Sequence, residues 1–330
     1  MTARAWLAAI LALSLAACAP LLQQHAQAPA AGFSGAAVTD DAFVSFDGAR
    51  LGLMHWDPPG GGAPWAVIVG VHGVDDYSNT FHLAAPYWAA DGIATYAFDQ
   101  RGFGRSPQRG VWAGEPLMTE DLRTFCALIR QRYPHAVIAV AGVSMGGAVT
   151  IEAFASARPP TADRVVLLSP AVWGWSTQPP PNKTALWLVA HADPALDLEP
   201  PRFLTRGILA SDNIAELRRM GHDPLMLWGS RADALYGLVG LMEHASRDVG
   251  RIGPPTLYLT GEHDQIVPPY AARKAARRLK PGARSADYAA GWHLLLIDKQ
   301  APVVWRDVEA FLRDPNAPLP SGAPPIPRKG

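Results

Sequence analysis

The chain has 330 residues, 49% hydrophobic and 18% charged, which suits one large α/β domain with an insertion or two smaller domains. Its 29 Lys and Arg match its 29 Asp and Glu, so there is no basic excess to point to nucleic acid as a partner. Two cysteines, Cys18 and Cys126, exclude a disulfide-stapled scaffold, and no Cys/His spacing suggests zinc.

Residues 1–17 read as a targeting segment, with Arg4 followed by an apolar core too short to span a bilayer comfortably. The stretch "LAAC", Leu15 to Cys18, resembles the lipobox of bacterial lipoproteins. That resemblance implies acylation of Cys18, a mature chain anchored to the membrane by lipid, and residence in the bacterial cell envelope, at the outer membrane or periplasmic face. Cleavage after "AQA", Ala26 to Ala28, is the alternative, and it would release a soluble secreted or periplasmic protein. Residues 18–40, rich in Ala, Gln, Pro and Gly, read as a flexible tether. Residues 314–330 read as an unpacked Pro-rich tail.

The body between them alternates. "AFVSFDGARLGLMHW" holds two apolar runs joined by Asp47-Gly48, a hairpin signal. "WAVIVGVHG" is an unbroken apolar run, as in a strand covered on both faces. A polar stretch able to carry a helix follows, and then the strand of "IATYAFDQRGFGRS" with a Gly-rich turn. "TEDLRTFCALIRQRYP" is an amphipathic helix with Thr119 as the expected N-cap. Next come the strand "HAVIAVAG", the helix "MGGAVTIEAFASA" and the strand "RVVLLSP". The closing elements are the strand "PPTLYLT", the helix "PYAARKAARRLKPG", the weak strand "RSADYAAG" and the helix "PVVWRDVEAFLRD". A hairpin followed by alternating strand and helix predicts an α/β fold, a mainly parallel sheet with helices on both faces. Residues 41–170 and 251–313 form the two parts of this core. Residues 171–250 are too long for a connection, and with Trp173, Trp175, Trp187, Phe203, Trp228 and Tyr236 they read as an inserted helical cap.

The chemistry-bearing residues lie at strand ends. "GVSMG" fits G-x-S-x-G between an apolar strand and a helix-forming run, with Ser144 flanked by Gly142 and Gly146. In such a nucleophile elbow the serine sits on a strained turn, and the glycines let strand and helix pass closely. A serine needs a base to take its proton and an acid to orient that base, here in the chain order Ser, acid, His. Asp264 in "TGEHDQIVPP" and His293 in "AGWHLLLID" meet that order. The backbone N–H groups of Met145 and Val74 are the expected oxyanion donors. His72, beside Gly73 in a tight turn, reads as structural. Asp99, Arg101 and Arg105 read as braces of the Gly-rich turn, and Asp298 as a solvated or capping residue.

Taken together, "VHG", "FDQRGFGRS", "GVSMGG", "GEHDQIVPP" and "GWHLLLID" resemble an α/β-hydrolase of the monoacylglycerol lipase and lysophospholipase group, which is also classed with serine aminopeptidases. The resemblance spans about residues 65–313. It implies a Ser144–Asp264–His293 triad, oxyanion donors at Val74 and Met145, and a cap that forms an acyl pocket. The implied activity is hydrolysis of carboxylic esters of small lipids such as monoacylglycerol or lysophospholipid, with no metal or organic cofactor. The branched Val74 departs from the small residue frequent after "HG" in that group. Two alternatives stand beside this reading. One is an aminopeptidase or amidase using the same triad, for which the cap would need an acidic pair to bind a substrate amino terminus, with Glu199 and Glu216 available. The other is a non-catalytic, lipid-anchored binding protein.

Overall fold

The computed structural model describes residues 21–199 and 207–327. Residues 1–17, read from the sequence as a targeting segment, Cys18 and Phe203 lie outside the described residues. A nine-stranded sheet runs in the order β1-β2-β3-β5-β4-β6-β7-β10-β11. Its first three strands, β1 (Ala37–Val38), β2 (Ala42–Val44) and β3 (Arg50–Trp56), pair antiparallel, and the β2–β3 turn carries Gly48 at φ 78°. β3 then pairs antiparallel with β5 (Ile93–Phe98). From there β4 (Ala66–Val71), β6 (Val137–Val143), β7 (Arg164–Leu168), β10 (Thr256–Gly261) and β11 (Arg284–Tyr288) continue in parallel. Every residue of β4, β5 and β10 is buried, as the unbroken apolar runs predict for strands covered on both sides.

Two cores follow from the alternation of side chains along these strands. On one face Val67, Val69 and Val71 of β4 join α2 (Glu115–Arg132), α3 (Met145–Ala155), the second half of α6 (Ala232–Asp248) and α7 (Pro269–Ala276). On the other, Ala66 and Ile68 join α1 (Ala84–Ala90) and α8 (Ala301–Arg313), with Trp88, Val304 and Val308 fully buried. Between β7 and β10 the chain forms α4 (Pro180–Ala192), a two-stranded ribbon of β8 (Asp197–Leu198) and β9 (Ser230–Arg231), α5 (Ile214–Gly221) and the first half of α6. These elements lie in residues 171–250, the stretch the sequence reads as an inserted helical cap. Its last helix is shared: Met242 and Ala245 of α6 and the following Val249 are buried in the core against α3.

Three expectations need correction. Thr119 is not an N-cap, because α2 begins a turn earlier at Glu115 with Pro116 in its first turn, and the Thr119 hydroxyl donates to the Glu115 carbonyl at 2.9 Å. The stretch expected as a free tether lies along the body. Gln24 is buried, donating to the Trp112 and Val111 carbonyls at 2.8 Å each, and the Gln27 N–H donates to Asp47 at 3.0 Å. The Pro-rich tail is packed as well. Leu319 and Ile326 are buried, the Asp287 N–H donates to the Pro324 carbonyl at 2.9 Å, and the Ile326 N–H donates to the Ser285 hydroxyl at 3.1 Å. The tail thereby covers β11, whose outer edge would otherwise present unpaired backbone groups.

Candidate active site

Ser144 stands between β6 and α3 at φ 51°, ψ −117°, a strained conformation for a residue with a side chain. The strain is held from several sides. The Ser144 N–H donates to Leu168 O at 3.0 Å, and its carbonyl accepts from Ala171 at 2.9 Å and Ala148 at 3.2 Å. The flanking glycines explain why the turn closes. A Cβ on Gly142 would fall 2.5 Å from the Gly146 carbonyl oxygen, and one on Gly146 would fall 2.1 Å from the Val71 carbonyl oxygen. Strand, helix and the end of β4 approach too closely here for any side chain.

Asp264 and His293 sit past the carboxyl ends of β10 and β11, two adjacent parallel strands. Both side chains are buried, and His293 Nδ1 lies 2.9 Å from Asp264 Oδ2. The other carboxylate oxygen accepts the N–H groups of Ile266 and Val267 at 2.8 and 2.9 Å, so the acid's orientation is fixed by its own loop. With Nδ1 facing the carboxylate, Nε2 is the ring nitrogen available to a second partner. β6, which delivers Ser144, is separated from β10 only by β7, so all three residues emerge along the same edge of the sheet.

The loop after β4 runs beside the serine. A Cβ on Gly73 would lie 3.3 Å from that of Ser144. His72 anchors this loop from below: its Nε2 accepts the Gln100 N–H at 2.8 Å, which makes Nδ1 the donor to the Gly73 carbonyl at 2.7 Å. Complete burial lowers the His72 pKa to about 4, against a smaller opposing pull from Asp99, and the ring stays neutral at neutral pH. Val74 is partly buried against the core. Asp75, at φ 62°, ties the loop to the cap, its carboxylate accepting the Ser230 hydroxyl at 2.9 and 3.1 Å and its carbonyl accepting the Leu227 N–H at 2.9 Å. Burial pushes the Asp75 carboxyl up to about 6, and Asp197 and Asp76 add to that. An apolar slot lies between this loop and the cap, lined by Val74, Phe103, Trp112, Leu227, Leu235 and Leu238. It has about 10 Å³ of free space, room for one water.

The remaining sequence candidates fall into place. Asp99 accepts from Arg105 and from the Ser78 N–H, and Arg101 is forked between Asp47 and Asp121 at 2.7 to 2.9 Å, so these residues brace turns. His263, which neighbours Asp264 in the chain, stacks on Trp292, with ring centroids 5.4 Å apart. Glu216 pairs with Arg219 at 2.7 Å and His82 at 3.1 Å. Of the cap tryptophans, Trp187 and Trp228 are exposed, while Trp173 and Trp175 pack against the core. Asp298 is the residue the sequence undervalues. Far from solvated, it is buried, and its Oδ2 accepts the Trp292 N–H at 2.9 Å, steadying the loop that carries His293. Its only sequence signal is an acid a few residues past the histidine.

The architecture is that of an α/β-hydrolase. A monoacylglycerol lipase from Paleococcus ferrophilus superposes with a TM-score of 0.63 at 24% identity, covering 79% of this chain and 98% of that one. A soluble variant of the Saccharomyces cerevisiae monoglyceride lipase gives 0.67 at 18% identity, covering 83% and 96%. By sequence, a monoacylglycerol lipase of Mycolicibacterium smegmatis is 23% identical over 281 residues, 83% of this chain and 96% of that protein. The mouse monoglyceride lipase is 26% identical over 294 residues, 86% and 93% of the two chains. Residues 62–300 match the serine aminopeptidase S33 family, and the chain belongs to it.

Proposed function

We propose that the protein is a serine hydrolase of carboxylic esters with one acyl chain, such as monoacylglycerols or lysophospholipids. Ser144 attacks the ester carbonyl while His293 Nε2 takes its proton. Asp264 holds the imidazole and offsets the charge it gains. The N–H groups of Met145 and Val74 donate to the oxyanion of the tetrahedral intermediate. The alcohol leaves with the proton from His293, and water repeats the sequence on the acyl-enzyme to release the acid. The observation that carries the reading is the buried Asp264–His293 pair at 2.9 Å on the rim where Ser144 holds its strained turn. The relatives named monoacylglycerol or monoglyceride lipase favour a lipid ester over a peptide. The engagement of Glu216 by Arg219 and His82 weighs in the same direction, since it leaves that acid committed. An acyl chain entering beside Val74 would need more room than the roughly 10 Å³ free in that slot.

Acylation of Cys18 would hold this activity at a membrane surface in the cell envelope. No helix among the described residues is long and apolar enough to cross a membrane.

A fluorophosphonate probe tests the nucleophile: it should label the wild type and not Ser144→Ala, and equal labelling of both overturns the assignment. A panel of p-nitrophenyl esters, monoacylglycerol, lysophospholipid and aminoacyl amides tests the substrate class. Preference for the amides overturns the ester reading. Incorporation of labelled palmitate, lost in Cys18→Ser, tests the anchor.

A further inference from the structure

Away from the catalytic rim, three helices bring three metal-capable side chains to one point. Glu115 opens α2, Glu152 lies in the last turn of α3, and His244 lies in the second half of α6. One donor atom from each falls within 4.8 Å of the other two, the only such cluster of three or more among the described residues. His244 Nδ1 is 2.8 Å from Glu115 Oε2.

Glu152 makes the cluster more than a chance meeting of surface acids. It is 8% exposed, and its Oε1 is buried with no hydrogen-bond partner. A buried carboxylate oxygen without a donor is costly, and native structures rarely leave one so. Arg247, whose charge acts on Glu152, does not answer it, because it is doubly bonded to Asp248 at 2.8 and 3.2 Å. Two carboxyl groups and one imidazole therefore converge, with one oxygen of the buried carboxyl unmet.

The geometry points to a divalent transition-metal site, with Glu115, Glu152 and His244 as three ligands and water completing the shell. The imidazole selects the ion, since calcium and magnesium prefer shells made of oxygen, whereas zinc takes nitrogen and carboxylate oxygen together. The side chains of Glu115 and His244 are 32% and 46% exposed, which leaves an entry path and a position for the water. The site is structural and not part of ester hydrolysis. Glu152 is eight residues beyond Ser144 on the same helix, about 12 Å along its axis. A bound ion would fasten α6, which also contributes to the cap, to the helix that carries the nucleophile.

Isothermal titration of zinc into the whole chain, freed of metal with EDTA, tests the site. One equivalent should bind, with affinity at least tenfold weaker in Glu152→Gln and in His244→Ala. It should be unchanged in His222→Ala, which alters an exposed histidine elsewhere. Saturating zinc should raise the melting temperature of the wild type and not that of the two site variants, while magnesium and calcium do neither. If Glu152→Gln fails to fold, Glu115→Gln at the more exposed ligand takes its place. No saturable zinc binding would mean that protons alone settle the cluster, and would overturn the proposal. Binding that survives the site substitutions would place the ion elsewhere, with the same consequence.

Discussion

Gly261 and Gly291 meet backbone to backbone: a Cβ on Gly261 would fall 2.3 Å from the carbonyl carbon and oxygen of Gly291. This contact locks the loop bearing Asp264 to the loop bearing His293, and the His263 N–H reinforces it by donating to the Gly291 carbonyl at 2.9 Å. Gly261→Ala should force the two loops apart. Overpacking of this kind costs about 1–3 kcal/mol. The activity should fall more than tenfold, because the acid no longer meets the imidazole squarely. Urea denaturation and ester kinetics check both, and a variant with wild-type kcat would show that the loops tolerate separation.

Asp298 predicts a pH signature. Burial, helped by the nearby Asp212 carboxylate, raises its pKa well above the usual carboxylate range, to about 7. An acid whose folded pKa lies above its unfolded value favours the fold when protonated. Its contribution is fully present below about pH 4 and is lost as pH rises through about 7. Asp298→Asn keeps an acceptor for the Trp292 N–H and cannot ionise. Melting temperatures of variant and wild type should therefore separate between pH 5 and 8, with the variant the more stable at pH 8. Parallel curves would exclude this role.

The Arg101 fork predicts that charge alone is not enough. Its guanidinium, buried between Asp47 and Asp121, makes four bonds of 2.7 to 2.9 Å. Arg101→Lys keeps the charge and cannot satisfy both carboxylates, so stability should drop by about 2 kcal/mol or more. A chemical denaturation midpoint within error of the wild type would contradict this.

Removal of residues 315–330 should uncover the β11 edge and the surface beneath Leu319 and Ile326. Loss of two buried aliphatic side chains costs about 3–5 kcal/mol, and the bared edge should promote self-association. Melting temperature and light scattering measure the two effects. An unchanged, monodisperse truncated protein would show the tail to be dispensable.

The sheet was legible because its central strands are buried on both faces and therefore appear as unbroken apolar runs. The Ser144 turn was legible because steric closeness admits only glycine at 142 and 146, and that constraint is local. Features that depend on distant partners were not. Leu319 and Ile326 are isolated apolar residues among prolines, and only the proximity of Ser285 and Asp287 reveals why they are there. Thr119 resembled a cap because its type suits one, while the true start of α2 is set by Pro116 and Glu115. Asp298 carries no pattern of its own, and its value comes from burial beside the Trp292 amide.

α6 has a mechanical consequence. A single 17-residue helix begins in the cap and ends wedged against α3. The roof is thus cantilevered from the scaffold, with its fixed end in the hydrophobic interior. Under the proposed function, clearance for an acyl chain would come from the free span, through Leu227, Ser230 and the Asp75 tether, so entry to the site and the posture of the loop carrying Val74 would change together.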